Sequence, residues 1–552
     1  MFGEYDTLEQ LKFGLGKLRR KLEHLFEKLK ENSSEDIYPY HMPGHKRQSW
    51  GELPEALYTI DITEIEGFDN LHQPEGILLE LQKKAARIYG ADESFYLVNG
   101  STGGILSAIS SAIPAGGHIL MARNCHKSAY HGAYLRSLNI TYLYPPWLPK
   151  YDIFDAVTPQ LVAEALEQEP DINAVLLVSP TYEGRISDIG AIAEIVHKKG
   201  IPLIVDEAHG AHLGLSEDFP RNSCQLGADL VIHSVHKTLP ALTQSALLHV
   251  NGNLVNRRLL ERFLHIYQSS SPSYLLMASI DNALQYVEQE GAAAFEHFHN
   301  LYRKMMHTLK KCRYLKFLPQ EKTKQDVGKL LISVKGTKFT GKQLQDILLK
   351  NYGLQMEMAS ESFVLAMFTI NDREEAYERM TNALLDIDSS LAETRPVSVP
   401  RQNDWAVIPQ EGSGCGDSAG SNVQGSSVCG GSEESNEQGG SVCGYSGGSN
   451  EQGGSVCNYS GRIVRLAGIS LTKAWDSAVE QVSIDEGEGR YAGEFIHLYP
   501  PGVPLVVPGE RITKEICKNI RESVKQGLNV QGIILNKNEN ISGEKISFNV
   551  LK

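Results

Sequence analysis

Two apolar runs some thirty residues apart, each ending in a cluster of reactive side chains, restrict what this chain can fold into more than any other feature. Leu230-Val231-Ile232 runs into His233-Ser234-Val235-His236-Lys237-Thr238-Leu239-Pro240, and Pro202-Leu203-Ile204-Val205 runs into Asp206-Glu207-Ala208-His209. Short apolar runs bounded by polar clusters read as buried strands. Three more segments follow the same plan. Glu93 to Val98 ends in Asn99-Gly100-Ser101-Thr102-Gly103-Gly104, His118 to Ala122 ends near Asn124-Cys125-His126-Lys127-Ser128, and Ala174 to Val178 ends in Ser179-Pro180-Thr181-Tyr182-Glu183-Gly184. Helical spacing lies between them, over Ile77 to Tyr89, Ile105 to Ile113 and 188–199. Such alternation argues for an α/β fold with a mostly parallel sheet flanked by helices. Open sheets of this kind take ligands at the carboxyl ends of their strands, so the clusters are expected to share one crevice.

A lysine past one strand and an acid past another suit pyridoxal 5'-phosphate (PLP). Lys237 would form a Schiff base with the cofactor, and Asp206 would hold its pyridine nitrogen protonated. Alone, each signal is weak: a lysine after a strand is usually solvated, and a strand-end aspartate often caps a helix. Together, in the contexts Val-Asp-Glu-Ala-His and Ser-Val-His-Lys-Thr, they point to one pocket.

The chain is 552 residues long, enough for two or three domains. Its formal net charge of −14 argues against a nucleic-acid role, which wants a basic face. It has no run of eighteen apolar residues, so no membrane span is expected. Charges throughout the first thirty residues argue against an ordinary secretory signal. Cys125, Cys224, Cys312 and Cys517 are far apart with no Cys-x-x-Cys spacing, which suits a reducing cytoplasm and no metal site.

Leu8, Leu11, Leu15, Leu18, Leu22 and Leu25 predict an amphipathic helix from 6 to about 31, packed on the main body or on a partner subunit. Past the reactive clusters, a long helix is predicted over about 293–312. A second α/β unit follows, with strands Leu330 to Val334, Leu354 to Met358 and Phe363 to Thr369, and helices Gly341 to Asn351 and Glu374 to Ile387. Residues 406–460 are mostly Gly, Ser, Asn, Glu and Gln, and Cys415, Cys429, Cys443 and Cys457 recur every fourteen residues. With almost no apolar residues, these repeats cannot build a solenoid core, and single cysteines without histidine make a poor metal site, so a flexible tract is expected. Arg462 to Leu466 resumes ordered character, with helices predicted over Ala474 to Val482 and Lys514 to Gln526.

Seven motifs now stand in order: Pro43-Gly44-His45-Lys46, Asn99 to Gly103, Arg123-Asn-Cys-His-Lys127, Asp206-Glu-Ala-His209, Ser234-Val-His-Lys237, Ser270-Ser-Pro-Ser-Tyr274 and Tyr499-Pro-Pro-Gly-Val-Pro-Leu505. Together they resemble the PLP-dependent ornithine/lysine/arginine decarboxylases of the aspartate-aminotransferase fold (fold type I), in the shorter bacterial form without an N-terminal wing domain. The resemblance covers about 38–395 and 462–530. It departs in the glycine-serine tract and at Asn70 of Phe68-Asp69-Asn70-Leu71-His72, where the family often shows two acids.

The resemblance implies five regions: an N-terminal helix and arm (1–55), a large PLP-binding domain (56–290), a linker helix with a small α/β domain (291–405), the low-complexity insert (406–460) and a decarboxylase-type C-terminal region (461–552). Lys237 would carry PLP, and Asp206 would pair with the ring nitrogen. Ser101, Thr102 and Gly103 open a helix and would cradle the phosphate, with Ser234 and His236 reaching it from the Lys237 side. His126 would stack on the ring, and His209 would lie near the ring oxygen or the substrate carboxylate. Ser270 and Ser271 would contact the phosphate of a neighbouring subunit, which implies at least a homodimer. His41 and His45 lie in the arm, with no role assigned.

The implied reaction is decarboxylation of a basic amino acid in the cytoplasm, making a polyamine precursor. The sequence does not choose among arginine, lysine and ornithine. Glu64, Glu66, Asp69, Glu494 and Glu510 are the carboxylates considered for the substrate's cationic end. The rivals are an aminotransferase or carbon–sulfur lyase of the same fold, which usually grips the α-carboxylate with an arginine, and a non-catalytic regulator that keeps the fold. The intact Lys237 and Asp206 argue against the last.

Overall fold

The computed structural model describes residues 23–49, 51–321, 323–392, 461–465, 469–500, 502–536 and 545–552. The expected helix before residue 23 and the glycine-serine tract at 406–460 lie outside the described residues.

An eight-stranded sheet forms the centre. Its strands are β1 (Glu93–Leu97), β2 (His118–Ala122), β3 (Asn139–Tyr144), β4 (Ala174–Val178), β5 (Leu203–Asp206), β6 (Leu230–His233), β7 (Ala246–Val250) and β8 (Arg462–Arg465). They run in the order β1-β7-β6-β5-β4-β2-β3-β8. The stretch from β3 to β6 is parallel. Strands β2, β5, β6 and β7 are buried along their whole length, as a sheet covered on both faces requires. The remaining pairings, β6–β7, β7–β1 and β3–β8, are antiparallel. Two antiparallel steps in succession return β1 to the direction of β6. The carboxyl ends of β1, β2, β4, β5 and β6 therefore emerge on one edge, which is why five sequence-distant clusters can meet.

Helix α1 (Leu25–Ser34) is anchored by a buried node. Asp281 accepts from His24 Nδ1 (3.1 Å) and the Leu25 amide (3.0 Å) and faces Lys84 Nζ (3.5 Å). Asp281 belongs to helix Tyr274–Leu309, longer and earlier in onset than the predicted 293–312; at 36 residues it reaches ~54 Å. Helix α3 (Gly100–Ala112) lies tight on the sheet. A Cβ at Gly104 would stand 2.6 Å from Leu97 Cδ1 and 3.1 Å from Ile232 Cγ2, so this close approach needs glycine.

A smaller antiparallel sheet is built from Lys316–Phe317, Lys329–Ser333, Phe363–Met367 and Met358–Ala359. The strand predicted over Leu354 to Met358 forms only at its end, because Phe363–Met367 pairs with Met358 and Ala359. The helix predicted over Ala474 to Val482 is also corrected. It stops at Trp475, and Val479–Ser483 is a strand pairing with Lys545–Leu551. The C-terminal region has its own core around Ile496, Val506, Ile520 and Phe548.

The C-terminal region is fastened to the central sheet by a buried ion pair. The Arg123 guanidinium donates to both oxygens of Glu510 (3.1 and 2.9 Å) and to the carbonyls of Pro504 (2.8 Å) and Leu505 (3.3 Å). Bidentate geometry of this kind fixes orientation as well as distance.

Candidate active site

The strand edge opens into a cavity of about 770 Å3. Ser101, Thr102, His126, Asp206, His209, Ser234, His236 and Lys237 all line it, drawn from four of the predicted motifs. Gly103 sits behind them in the first turns of α3, buried, with Asn99 Cβ and the Tyr267 carbonyl 3.3 and 3.5 Å from where its own Cβ would be. Ser270 and Ser271 are exposed and do not line the cavity of this chain. Neither do His41 and His45. His45 Nε2 faces Asp61 at 3.3 Å, and His41 Nδ1 donates to the Met42 carbonyl at 2.5 Å.

One wall is a phosphate-type cradle. Gly100, at φ 66°, turns the chain from β1 into α3 and donates to the Gln244 carbonyl at 3.0 Å. Ser101 and Thr102 then occupy the first turn, whose amides have no acceptor within the helix. Ser234 Oγ faces the same cavity, is fully buried and has no hydrogen-bond partner among the described residues. A buried hydroxyl left unpartnered costs about 1–3 kcal/mol, so a ligand oxygen there is worth binding. Opposite, His236 Nδ1 donates to the Ser245 carbonyl at 2.9 Å, which directs the rest of the ring into the cavity. This donor set fits the phosphate of PLP.

Asp206 closes the other end. It is 5% exposed and accepts from the Ala208 amide at 3.2 Å. Burial raises its pKa and nearby Lys237 opposes the rise. A cationic ring nitrogen beside it would favour the carboxylate further. The acid thus fits the pyridine end of PLP. His126 caps helix α4 (Lys127–Leu135), its Nδ1 accepting from Ser128 N at 3.2 Å. Burial, then Lys237 and Lys127, push its pKa down to about 4, so it is neutral at physiological pH. Gly502, at φ 78°, packs against this ring, and Lys127 N donates to the Gly502 carbonyl at 3.2 Å. Tyr499, Pro500 and Val503 of the same loop line the cavity.

His209 joins two lysines. Its Nε2 is 3.0 Å from Lys237 Nζ and its Nδ1 is 2.7 Å from Lys329 Nζ. Lys329 was missed in the sequence; a lysine opening the otherwise apolar stretch Lys329-Leu-Leu-Ile-Ser333 was the available signal. Glu357, a cavity residue, was missed too, whereas Tyr182 and Glu183 belong to the cluster after Val178 that the sequence placed at the crevice, and both line the cavity. Tyr182 donates to Glu357, and Glu183 accepts from Thr181 Oγ1 at 3.0 Å.

The carboxylates considered for the substrate's cationic end stand outside the cavity of this chain. None of Glu64, Glu66, Asp69, Glu494 and Glu510 lines this cavity. Asp69 is consumed by the start of helix α2 (Ile77–Tyr89), accepting from the amides of Gly76 (2.8 Å) and Leu78 (3.0 Å). Glu510 is neutralised by Arg123, and Glu494 accepts from Trp475 Nε1 at 3.2 Å. Among the described residues lining the cavity there is no arginine.

The sequence profile of the Orn/Lys/Arg decarboxylase major domain matches residues 23–337, and that of the family's C-terminal domain matches 467–525. The chain belongs to the Orn/Lys/Arg decarboxylase family. It is 29% identical over 521 residues to an arginine decarboxylase of Bacillus anthracis, covering 92% of this chain and 94% of that protein. It is 32% identical over 527 residues to the Bacillus subtilis protein YaaO, covering 92% and 95%. The lysine decarboxylase LdcF of Francisella novicida superposes with a TM-score of 0.72 at 16% identity, over 100% of this chain and 84% of that one. The fold is thus that of the type I PLP enzymes, and the chain is a decarboxylase for which family and fold imply PLP. No described helix is long and apolar enough to cross a membrane.

Proposed function

We propose that this decarboxylase removes the α-carboxylate of a basic amino acid as CO2, with arginine the first choice, and releases the corresponding amine toward polyamine synthesis. One observation carries the reading: Lys237 and Asp206 leave adjacent parallel strands and line one cavity with a phosphate cradle between β1 and α3. Arginine is favoured because the relatives named arginine decarboxylase match along 88% to 93% of this chain, whereas one named lysine decarboxylase matches 48%.

When bound, PLP supplies an electron sink for the pair left behind as CO2 departs. Lys237 holds the cofactor through its Nζ. Asp206 keeps a proton on the ring nitrogen by its negative charge. Ser101, Thr102, Ser234 and His236 hold the phosphate, with Gly103 letting the helix approach. Neutral His126 lies against the ring face. Ser270 and Ser271, exposed on this chain, reach the phosphate of a second copy, so the working unit is at least a homodimer. Among the described residues lining the cavity stands no arginine of the kind aminotransferases usually set against the α-carboxylate.

Glu357 receives the substrate's cationic end. Of the cavity acids, Asp206 is committed to the ring and Glu183 to Thr181, which leaves Glu357, steadied by Tyr182. The test is amine release from arginine, lysine and ornithine by the purified protein and by Glu357→Gln. We expect one substrate to dominate, and Glu357→Gln to raise its KM at least tenfold with less effect on kcat, since about 1.4 kcal/mol of binding is tenfold. An unchanged KM would remove Glu357 from this role, and no amine from any of the three would remove the reading itself.

A further inference from the structure

Lys329 has no part in the site as drawn so far, yet it is 1% exposed and bonded to the histidine that touches Lys237. A buried lysine is costly unless something uses it. The hydrogen bonds define the use. An ammonium only donates, and a neutral imidazole offers one acceptor nitrogen and one N–H. With Lys237 on Nε2 and Lys329 on Nδ1, both lysines cannot be ammonium while His209 is neutral. One ring nitrogen would then bring an N–H against an ammonium. Burial and the two lysines together keep His209 neutral, its pKa well below the usual value. One lysine of the pair must therefore present a lone pair.

We propose that Lys329 is a positioning residue that takes up the proton of Lys237 through His209, so that Lys237 is discharged without releasing a proton into the cavity. In one state, Lys237 Nζ is ammonium and donates to Nε2, while Nδ1–H donates to the neutral amine of Lys329. In the other, the Lys237 proton has moved to Nε2, the Nδ1 proton has moved to Lys329 Nζ, and Lys237 is a free amine. One proton enters the ring and one leaves, so charge and protons balance. When the Lys237 nitrogen is later set free, the reverse step returns its proton.

The surroundings place both states within reach. Burial lowers the Lys237 pKa, and Asp206 and Glu357, which it faces, oppose the fall. Burial pulls the Lys329 pKa down to about 8, with Asp326, Glu357 and Glu183 opposing the fall and Lys237 adding to it, and Tyr182 lies beneath it at 5.5 Å. Asp326 is itself tied to His212 Nε2 at 3.0 Å and to the Gly328 amide at 2.8 Å. Tyr182, its ring 4.7 Å from the imidazole, His126 and His212 are the other titratable groups facing His209 among the described residues. An acceptor near pH 8, sealed from solvent, is matched to moving a proton at neutral pH.

The inference rests on Lys237 being the cofactor-holding lysine, and the experiment separates the two. Protein stripped of cofactor is mixed with PLP over a series of pH values, quenched with borohydride, and the label is mapped and quantified. If the label lies elsewhere than Lys237, the reading of the site fails. If it lies on Lys237, the pH profile of the capture rate decides. Lys329→Met cannot accept the proton, so the profile should move up by about one pH unit, roughly tenfold slower capture at neutral pH. Lys329→Arg donates permanently to Nδ1 and forces the proton onto Nε2, so the profile should move down instead. Opposite shifts are not what a packing defect produces. Profiles that coincide with the parent, or that fall equally at all pH, would overturn the relay. If Lys329→Met does not fold, Lys329→Gln serves in its place, with thermal melts as the control.

Discussion

The Arg123–Glu510 pair gives the most quantitative forecast. The two side chains are 4% and 10% exposed and bonded at 3.1 and 2.9 Å. Glu510→Ala leaves the guanidinium buried without a counter-charge, a loss of about 3–5 kcal/mol. Arg123→Met leaves a buried carboxylate and also strands the Pro504 and Leu505 carbonyls, each worth about 1–3 kcal/mol when unpaired. The double variant Arg123→Met/Glu510→Leu removes both charges and retains the carbonyl penalty together with that of the Val507 amide, which donates to Glu510 at 2.9 Å. It should therefore be less unstable than the two singles summed, with an interaction of about 1–3 kcal/mol. Urea unfolding gives the energies. Hydrogen exchange over 496–512 locates the loss, because this segment is what the pair fastens. Both singles should also raise KM, since Tyr499, Pro500 and Val503 of the same region wall the cavity. Singles that cost under about 1 kcal/mol, or a strictly additive double, would refute the clamp.

Asp206→Asn should bind PLP and remain coloured while kcat falls by about two to three orders of magnitude and KM changes little, as steady-state kinetics will show. The His126 pKa is lowered in the folded cofactor-free protein, from 6.5 to about 4. Its contribution is therefore fully present above pH 6.5 and lost as pH falls toward 4, so His126→Gln should flatten the pH dependence of the melting temperature within that window and leave it alone above. Gly104→Ala forces a methyl against Leu97 and Ile232, and thermal or urea unfolding should show about 1–3 kcal/mol of lost stability.

The sequence carried what is local to the strand ends. Lys237, Asp206, His126 and the Ser101–Thr102 turn each follow an apolar run, and the sheet rule alone collects them. The residues that escaped come from the smaller sheet and its flank: Glu357 lines the cavity, and Lys329 is bonded to His209. Lys329 and His209 are 120 positions apart, and no periodicity links them. The carboxylates could not be ranked for a related reason: nothing in the letters says that Asp69 is spent on the amides of α2 or Glu510 on Arg123. The helix expected over Ala474 to Val482 failed because Ala474, Ala478, Val479 and Val482 suit a helix until the distant partner strand Lys545–Leu551 claims Val479–Ser483.

The central claim is that basic amino acids lose their carboxylate at Lys237. Its most direct measurement is the release of labelled CO2 from carboxyl-labelled arginine, lysine and ornithine, by the parent protein and by Lys237→Ala, with PLP present. We expect the parent to release CO2 and amine in equal amounts from at least one of the three, and Lys237→Ala to release essentially none. No release from any of the three, or release that survives in Lys237→Ala, would contradict the account.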